Sequence, residues 1–93
     1  MKFTFDPHKE AANLAKHGLS LEMAEELEWD SLECKPDTRR DYGEPRQIGY
    51  AIAGERLYCV VFVDRPEYAP TERRIISLRK ANSREVKQYD TND

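Results

Sequence analysis

The chain is short of the residues that build metal centres or disulfide scaffolds. It has two cysteines, Cys34 and Cys59, and two histidines, His8 and His17, in 93 residues. The cysteine spacing resembles no metal or redox motif, and the pair fits a reducing compartment. The histidines lie nine residues apart with no second ligand at i+4, so no metal site and no cofactor are expected. Long apolar runs are also missing. The longest, Cys59 to Val63, is far too short to cross a bilayer. The opening residues 1–7 hold no apolar signal region, which gives the expectation of a cytoplasmic protein. Repeats and low-complexity tracts are absent, and the length predicts one domain over residues 1–93.

Net positive charge is absent too. Fifteen Lys and Arg face 18 Asp and Glu, for a formal charge of −3. The positive charge present is concentrated. From Arg73 to Lys87 stand Arg73, Arg74, Arg79, Lys80, Arg84 and Lys87, with Glu85 the lone acid. The opposite imbalance lies earlier, where Glu22, Glu25, Glu26, Glu28, Asp30 and Glu33 carry no base among them. That stretch reads as a solvated face or as a surface for a basic partner.

The pattern along the chain predicts an α+β domain. Lys2 to Phe5 alternates as a short strand. Asp6-Pro7 starts a helix that runs to His17, with Ala11, Leu14 and Ala15 on its apolar stripe and Gly18 as its stop. Ser20 caps a second helix on which Leu21, Ala24 and Leu27 recur. From Leu32 to Pro45 the chain reads as a polar connection, with room for one short strand. Arg46 to Ala53 is a strand, Gly54-Glu55 a turn, and Leu57 to Asp64 a central strand that is apolar on both faces. Arg65 to Thr71 is a loop. A strand from Arg73 pairs back antiparallel, and Asn82 or Ser83 caps a C-terminal helix carrying Val86 and Tyr89 on one side. The order is strand, two helices, three or four strands, helix, with the helices packed on one antiparallel sheet.

Alternation on the last strand puts Ile76 and Leu78 on one face and Arg73, Ser77 and Arg79 on the other, about 20 Å from end to end. Two guanidiniums and a hydroxyl on an open sheet face suit phosphate, although the same residues serve to keep a surface strand solvated. Glu44 and Arg46 begin the hairpin, and Arg56 stands opposite. Phosphodiester chemistry on RNA needs no metal, because the 2′-hydroxyl is an internal nucleophile. The protein must move protons and stabilise charge on the phosphate. Arginine suits the second task, since its charge never titrates away. These residues leave a nuclease, a non-catalytic nucleic-acid binder and a pure interaction protein all open.

Three blocks carry a resemblance that narrows the choice. The first is Phe5-Asp6-Pro7, then Asn13-Leu14-Ala15-Lys16-His17-Gly18-Leu19-Ser20, then Glu22 and Ala24. The second is Tyr42-Gly43-Glu44 with Arg46, then Gly54-Glu55-Arg56-Leu57. The third is Arg74-Ile75-Ile76-Ser77-Leu78-Arg79-Lys80-Ala81, then Arg84-Glu85 and Tyr89. In this order the sequence resembles the BrnT family of bacterial type II toxins. It departs from the family at Leu21, where Phe is usual, and at Thr4-Phe5, which replace an aromatic-Trp opening. The resemblance implies a RelE-like fold, ribosome-independent RNA cleavage and growth arrest. It also implies a BrnA-type ribbon-helix-helix antitoxin, a 2:2 heterotetramer with it, and operator DNA bound through that partner. The catalytic candidates are Glu44, Arg46 and Arg79. Arg56, Arg73, Arg74 and Lys80 are RNA-binding candidates, with Lys16, His17 and Tyr89 as accessories.

Overall fold

The elements in chain order are β1 (Lys2–Thr4), α1 (Pro7–His17), a 3₁₀ helix (Leu21–Glu26), β2 (Glu28–Pro36), β3 (Gln47–Ala53), β4 (Arg56–Arg65), β5 (Glu72–Lys80) and α2 (Ser83–Thr91). The structure is a computed structural model and describes residues 1–91. The five strands form one sheet in the order β1-β5-β4-β3-β2.

β2, β3, β4 and β5 pair antiparallel in turn, but β1 pairs parallel with β5. The sheet is therefore mixed, which corrects the expectation of a wholly antiparallel one. Hairpins force opposite directions on β3, β4 and β5. No hairpin joins β1 to β5, so nothing local fixes their relative direction.

β4 lies at the centre and is buried without a break from Leu57 to Val63, as its two apolar faces predict. On one face Tyr58, Val60 and Phe62 join Ala51, Ile75 and Leu78 beneath Leu21, Ala24 and Leu27. Trp29 closes this core. Its ring meets Phe62 edge-on at 5.5 Å and stacks on Phe3 at 5.6 Å, and its Nε1 donates to the Ala24 carbonyl at 3.0 Å.

The caps act as read. Asp6 accepts from the His8 N–H at 2.7 Å, and Gly18 ends α1 at φ 71°, its N–H on the Leu14 carbonyl at 2.9 Å. Ser20 caps the next element, accepting from the Glu22 N–H at 3.1 Å. That element is a six-residue 3₁₀ helix rather than an α-helix. Leu21, Ala24 and Leu27 recur every three residues, the period at which 3₁₀ side chains line up. Glu10 also holds its entrance, accepting from Ser20 Oγ and from the Leu21 N–H at 2.7 Å each.

Two further expectations are corrected. The polar connection begins later than read, because β2 runs on to Pro36. Its charged side chains suit a sheet edge and hide the strand pattern. On β5, Val61 pairs with Ser77 but Phe62 pairs with Ile75, so Ile76 is the extra residue of a β-bulge. The bulge reverses the alternation beyond it. Ile75, not Ile76, joins Leu78 in the core. Arg73 lies on the core side, over the rings of Trp29 and Phe62 at 4.6 and 4.5 Å, and is paired to Asp64 at 2.7 Å. It does not share a face with Ser77 and Arg79.

Candidate active site

The face of the sheet opposite the core presents Ile48, Tyr50, Cys59, Val61, Ser77 and Arg79, with α1 at one side and α2 at the other. Arg79 pairs with Cys59 near the end of β5, and α2 begins four residues later. Asn82 and Glu85 cap that helix reciprocally. The Glu85 N–H donates to Asn82 Oδ1 and the Asn82 N–H to Glu85 Oε1, both at 2.9 Å.

The capping geometry delivers the Glu85 carboxylate to Arg79. Nη1 donates to Oε1 and Nη2 to Oε2, each at 2.8 Å, and Nη1 also reaches the Lys80 carbonyl at 3.3 Å. Tyr50 donates its hydroxyl to Glu85 Oε2 at 2.8 Å. Chiefly through Arg79, the Glu85 carboxyl is held down to about 2. The Tyr50 phenol is pushed up to about 12, first by burial and then by its bond to Glu85. Burial also pushes the Cys59 thiol up, so it is no nucleophile at neutral pH.

Glu85 thus occupies the far edge of the Arg79 guanidinium. The Nε–H and the second N–H of Nη2 have no partner among the described residues. Those two donors form the side edge of the fork, which matches two oxygens of a phosphate.

α1 is fixed beside this arginine by Asn13, which is 5% exposed. Its Nδ2 donates to the carbonyls of Leu19 at 2.9 Å and Leu78 at 2.8 Å, and its Oδ1 accepts from the Leu78 N–H at 3.0 Å. The side chain pairs with the backbone of β5 where β1 has already ended. Lys9 and Lys16, spaced to lie along one side of α1, and His17 in its last turn then border a hollow of about 500 Å³ together with Arg39, Ser77 and Arg79. Among the described residues no carboxylate lines it. Burial, then Lys16 and Arg79, push the His17 imidazole below its usual value, so it is neutral at pH 7. Arg39 is itself held by Asp37, through Nε and Nη2 at 2.8 Å each. A second hollow of about 470 Å³ shares Ile48 and Arg39 with the first and is bordered by Tyr50, Glu85, Gln88 and Tyr89.

Against family models, residues 5–85 match the family described as ribonuclease toxin, BrnT, of type II toxin-antitoxin system. The chain belongs to the BrnT toxin family. Compared with curated proteins, it finds no match. Membership of a type II toxin–antitoxin family implies an antitoxin partner for this BrnT toxin. No described helix is long and apolar enough to cross a membrane. The matched span includes Asn13, Lys16, His17, Tyr50, Arg79 and Glu85; Gln88 and Tyr89 lie beyond it.

Of the sequence candidates in this BrnT chain, Arg79, Lys16 and His17 border one hollow. Tyr89 borders the adjoining one, its hydroxyl donating to the Ser31 carbonyl at 2.6 Å. Glu44 and Arg46 do not join them. Glu44 is paired with Arg65 at 2.8 Å, six residues along β4 from Cys59, a separation of about 20 Å. The Arg46 guanidinium lies 4.1 Å from the Tyr42 ring centre. Arg56 is exposed at the start of β4, and Lys80 is exposed and paired with Tyr58. Arg74 lies beside Val63, with Glu72 at 3.9 Å. The residues that sequence reasoning missed are Asn13, Tyr50, Glu85, Lys9 and Arg39. The spacing Asn82-x-x-Glu85 is a capping-box signal that singles out Glu85.

Proposed function

We propose that this BrnT toxin is an endoribonuclease that cleaves RNA free of the ribosome and without a metal ion. The observation that carries the reading is the hollow bordered by Lys9, Lys16, His17, Arg39 and Arg79 and, among the described residues, by no carboxylate. Such a site attracts a phosphodiester and repels a metal cation. In the reaction the RNA 2′-oxygen attacks the adjacent phosphorus as the bond from phosphorus to the 5′-oxygen breaks, and the leaving 5′-oxygen takes a proton from solvent water. A 2′,3′-cyclic phosphate and a 5′-hydroxyl result. The free edge of Arg79 binds the phosphate oxygens as their negative charge grows. Glu85 keeps that guanidinium in place. Neutral His17 takes the 2′-proton, and Lys16 supports charge at the phosphate.

The same reading makes the chain a single RelE-like toxin domain acting in the cytoplasm, where free toxin arrests growth. Its neutralising partner is a BrnA-type ribbon-helix-helix antitoxin in a 2:2 heterotetramer that binds operator DNA through the antitoxin. The test is purified chain on naked long RNA in chelator. Discrete fragments ending in cyclic phosphate are expected. Intact RNA, or cleavage that returns only with added metal or ribosomes, overturns the corresponding part.

A further inference from the structure

Two buried side-chain polar atoms lack a hydrogen-bond partner among the described residues, and both are arginine Nε: Arg46 and Arg74. A buried donor without an acceptor is costly and calls for an explanation. The sheet register gives one. Gln47 pairs with Phe62, so Arg46 falls one residue on, beside Val63. Arg74 pairs with Val63 from the other side. The two arginines therefore flank the same β4 residue from the two neighbouring strands, their Cα atoms about 10 Å apart. Side chains of that length can both reach the space over Val63.

Their face is the one that carries Arg79. Cys59, Val61 and Val63 alternate onto one side of β4, and Cys59 and Val61 border the cationic hollow. The bulge at Ile76 brings Arg74 to this side, where unbroken alternation would place Arg73. Neither arginine is fully neutralised. Among the described residues Arg46 has no ion-pair partner and lies over the Tyr42 ring. Glu72 stands 3.9 Å from Arg74 Nε, too far for a hydrogen bond, and its carboxylate accepts from the Thr4 hydroxyl.

We infer that Arg46 and Arg74 form a second phosphate subsite for the same RNA strand, which crosses the sheet face from Arg79 to Val63. This rests on the ribonuclease reading above. Cys59 to Val63 is four residues, about 13 Å. That length covers about four nucleotides of a stacked strand at roughly 3.4 Å per charge, and fewer of an extended one. The subsite holds a phosphate that does not react. It sets the register of the strand and the shortest RNA that binds well.

The experiment uses 2′-O-methyl oligoribonucleotides, which cannot be cleaved, in lengths from two to eight nucleotides. Affinity is read by fluorescence anisotropy across a salt series for wild type, Arg46→Met, Arg74→Met and Arg46→Lys. The wild type shows a step in affinity of roughly tenfold once the oligomer reaches the second subsite. Each Met variant loses the step, and its log–log salt slope falls by about 0.7. Arg46→Lys keeps the slope. Affinity that rises smoothly with length in the wild type overturns the subsite, as does a step that survives in either folded Met variant. Wild type that cleaves long RNA yet shows no step removes only the subsite. A step without cleavage keeps the subsite and removes the nuclease reading.

Discussion

Glu85 and Arg79 meet through two bonds of 2.8 Å, carboxylate against guanidinium, across the junction of β5 and α2. None of the side chains of α2 is buried. The helix is held to the sheet by polar contacts, of which Glu85 to Arg79 and Tyr50, and Tyr89 to the Ser31 carbonyl, are the ones that reach across. One carboxylate thus caps a helix, attaches it and aims the arginine.

That arrangement predicts an acid-sensitive fold. The Glu85 side chain is 15% exposed. Its carboxyl falls from 4.5 to about 2 on folding, which corresponds to about 3 kcal/mol. The folded value is depressed, so this stability is fully present above pH 4.5 and is lost as the pH falls toward 2. Urea unfolding of the wild type and Glu85→Gln should differ by about this amount at pH 7 and converge only as the pH falls through about 2. A gap that stays constant with pH would show that the ion pair contributes nothing.

His17 should titrate below 6.5, with burial as the main cause and Lys16 and Arg79 adding to it. NMR of the imidazole resonances measures the midpoint. In Arg79→Gln and Lys16→Gln it should move up without returning fully to 6.5, because burial remains. If neutral His17 accepts the 2′-proton, the cleavage rate rises with pH through the same midpoint. A midpoint at or above 6.5 contradicts the lowered imidazole, and a rate that does not follow the midpoint contradicts the role.

Asn13→Ala should destabilise the chain by about 3 kcal/mol or more, since it strands the Leu78 N–H and two carbonyls at about 1–3 kcal/mol each. Denaturant unfolding measures this. A loss under about 1 kcal/mol would mean that water replaces the side chain.

Much of the frame is legible in the sequence because its signals are local. Asp6-Pro7, Gly18 and Ser20 act within one turn, and the two-sided apolar run of β4 marks a buried strand in any context. The errors come from long-range choices. Ile75 and Ile76 are equally apolar, so alternation alone cannot say which goes inward, and one bulged residue moves Arg73 to the core side and Arg74 to the open face. The parallel pairing of β1 depends on contacts some seventy residues apart. For the site, Arg79 is found by its face and Lys16-His17 by their block. Glu44 and Arg46 flank Pro45 in the chain, yet they lie with Arg65 and Tyr42 instead. Asn13 is invisible as a site residue until α1 is seen against the edge of β5.

Gly49 has a different reason to be glycine from Gly18. A Cβ on Gly49 would fall 2.5 Å from Cys34 Cβ and 2.7 Å from the Glu33 carbonyl oxygen, so β2 must move. Gly49→Ala should cost about 1–3 kcal/mol by overpacking. Gly18→Ala meets no atom within 4 Å and is strained only by its φ of 71°, at about 1–2 kcal/mol. Thermal unfolding of both variants compares them. A Gly49→Ala protein as stable as wild type would show that β2 is not held against β3 there.

The decisive measurement is cleavage of a long RNA in EDTA by the wild type and by Arg79→Ala, with folding of the variant checked by circular dichroism. Metal-free cleavage assisted by Arg79 gives discrete fragments from the wild type and a loss of at least about a hundredfold in rate for the folded variant. A folded Arg79→Ala chain that cleaves as fast as the wild type would contradict it, and so would wild-type protein that leaves the RNA intact.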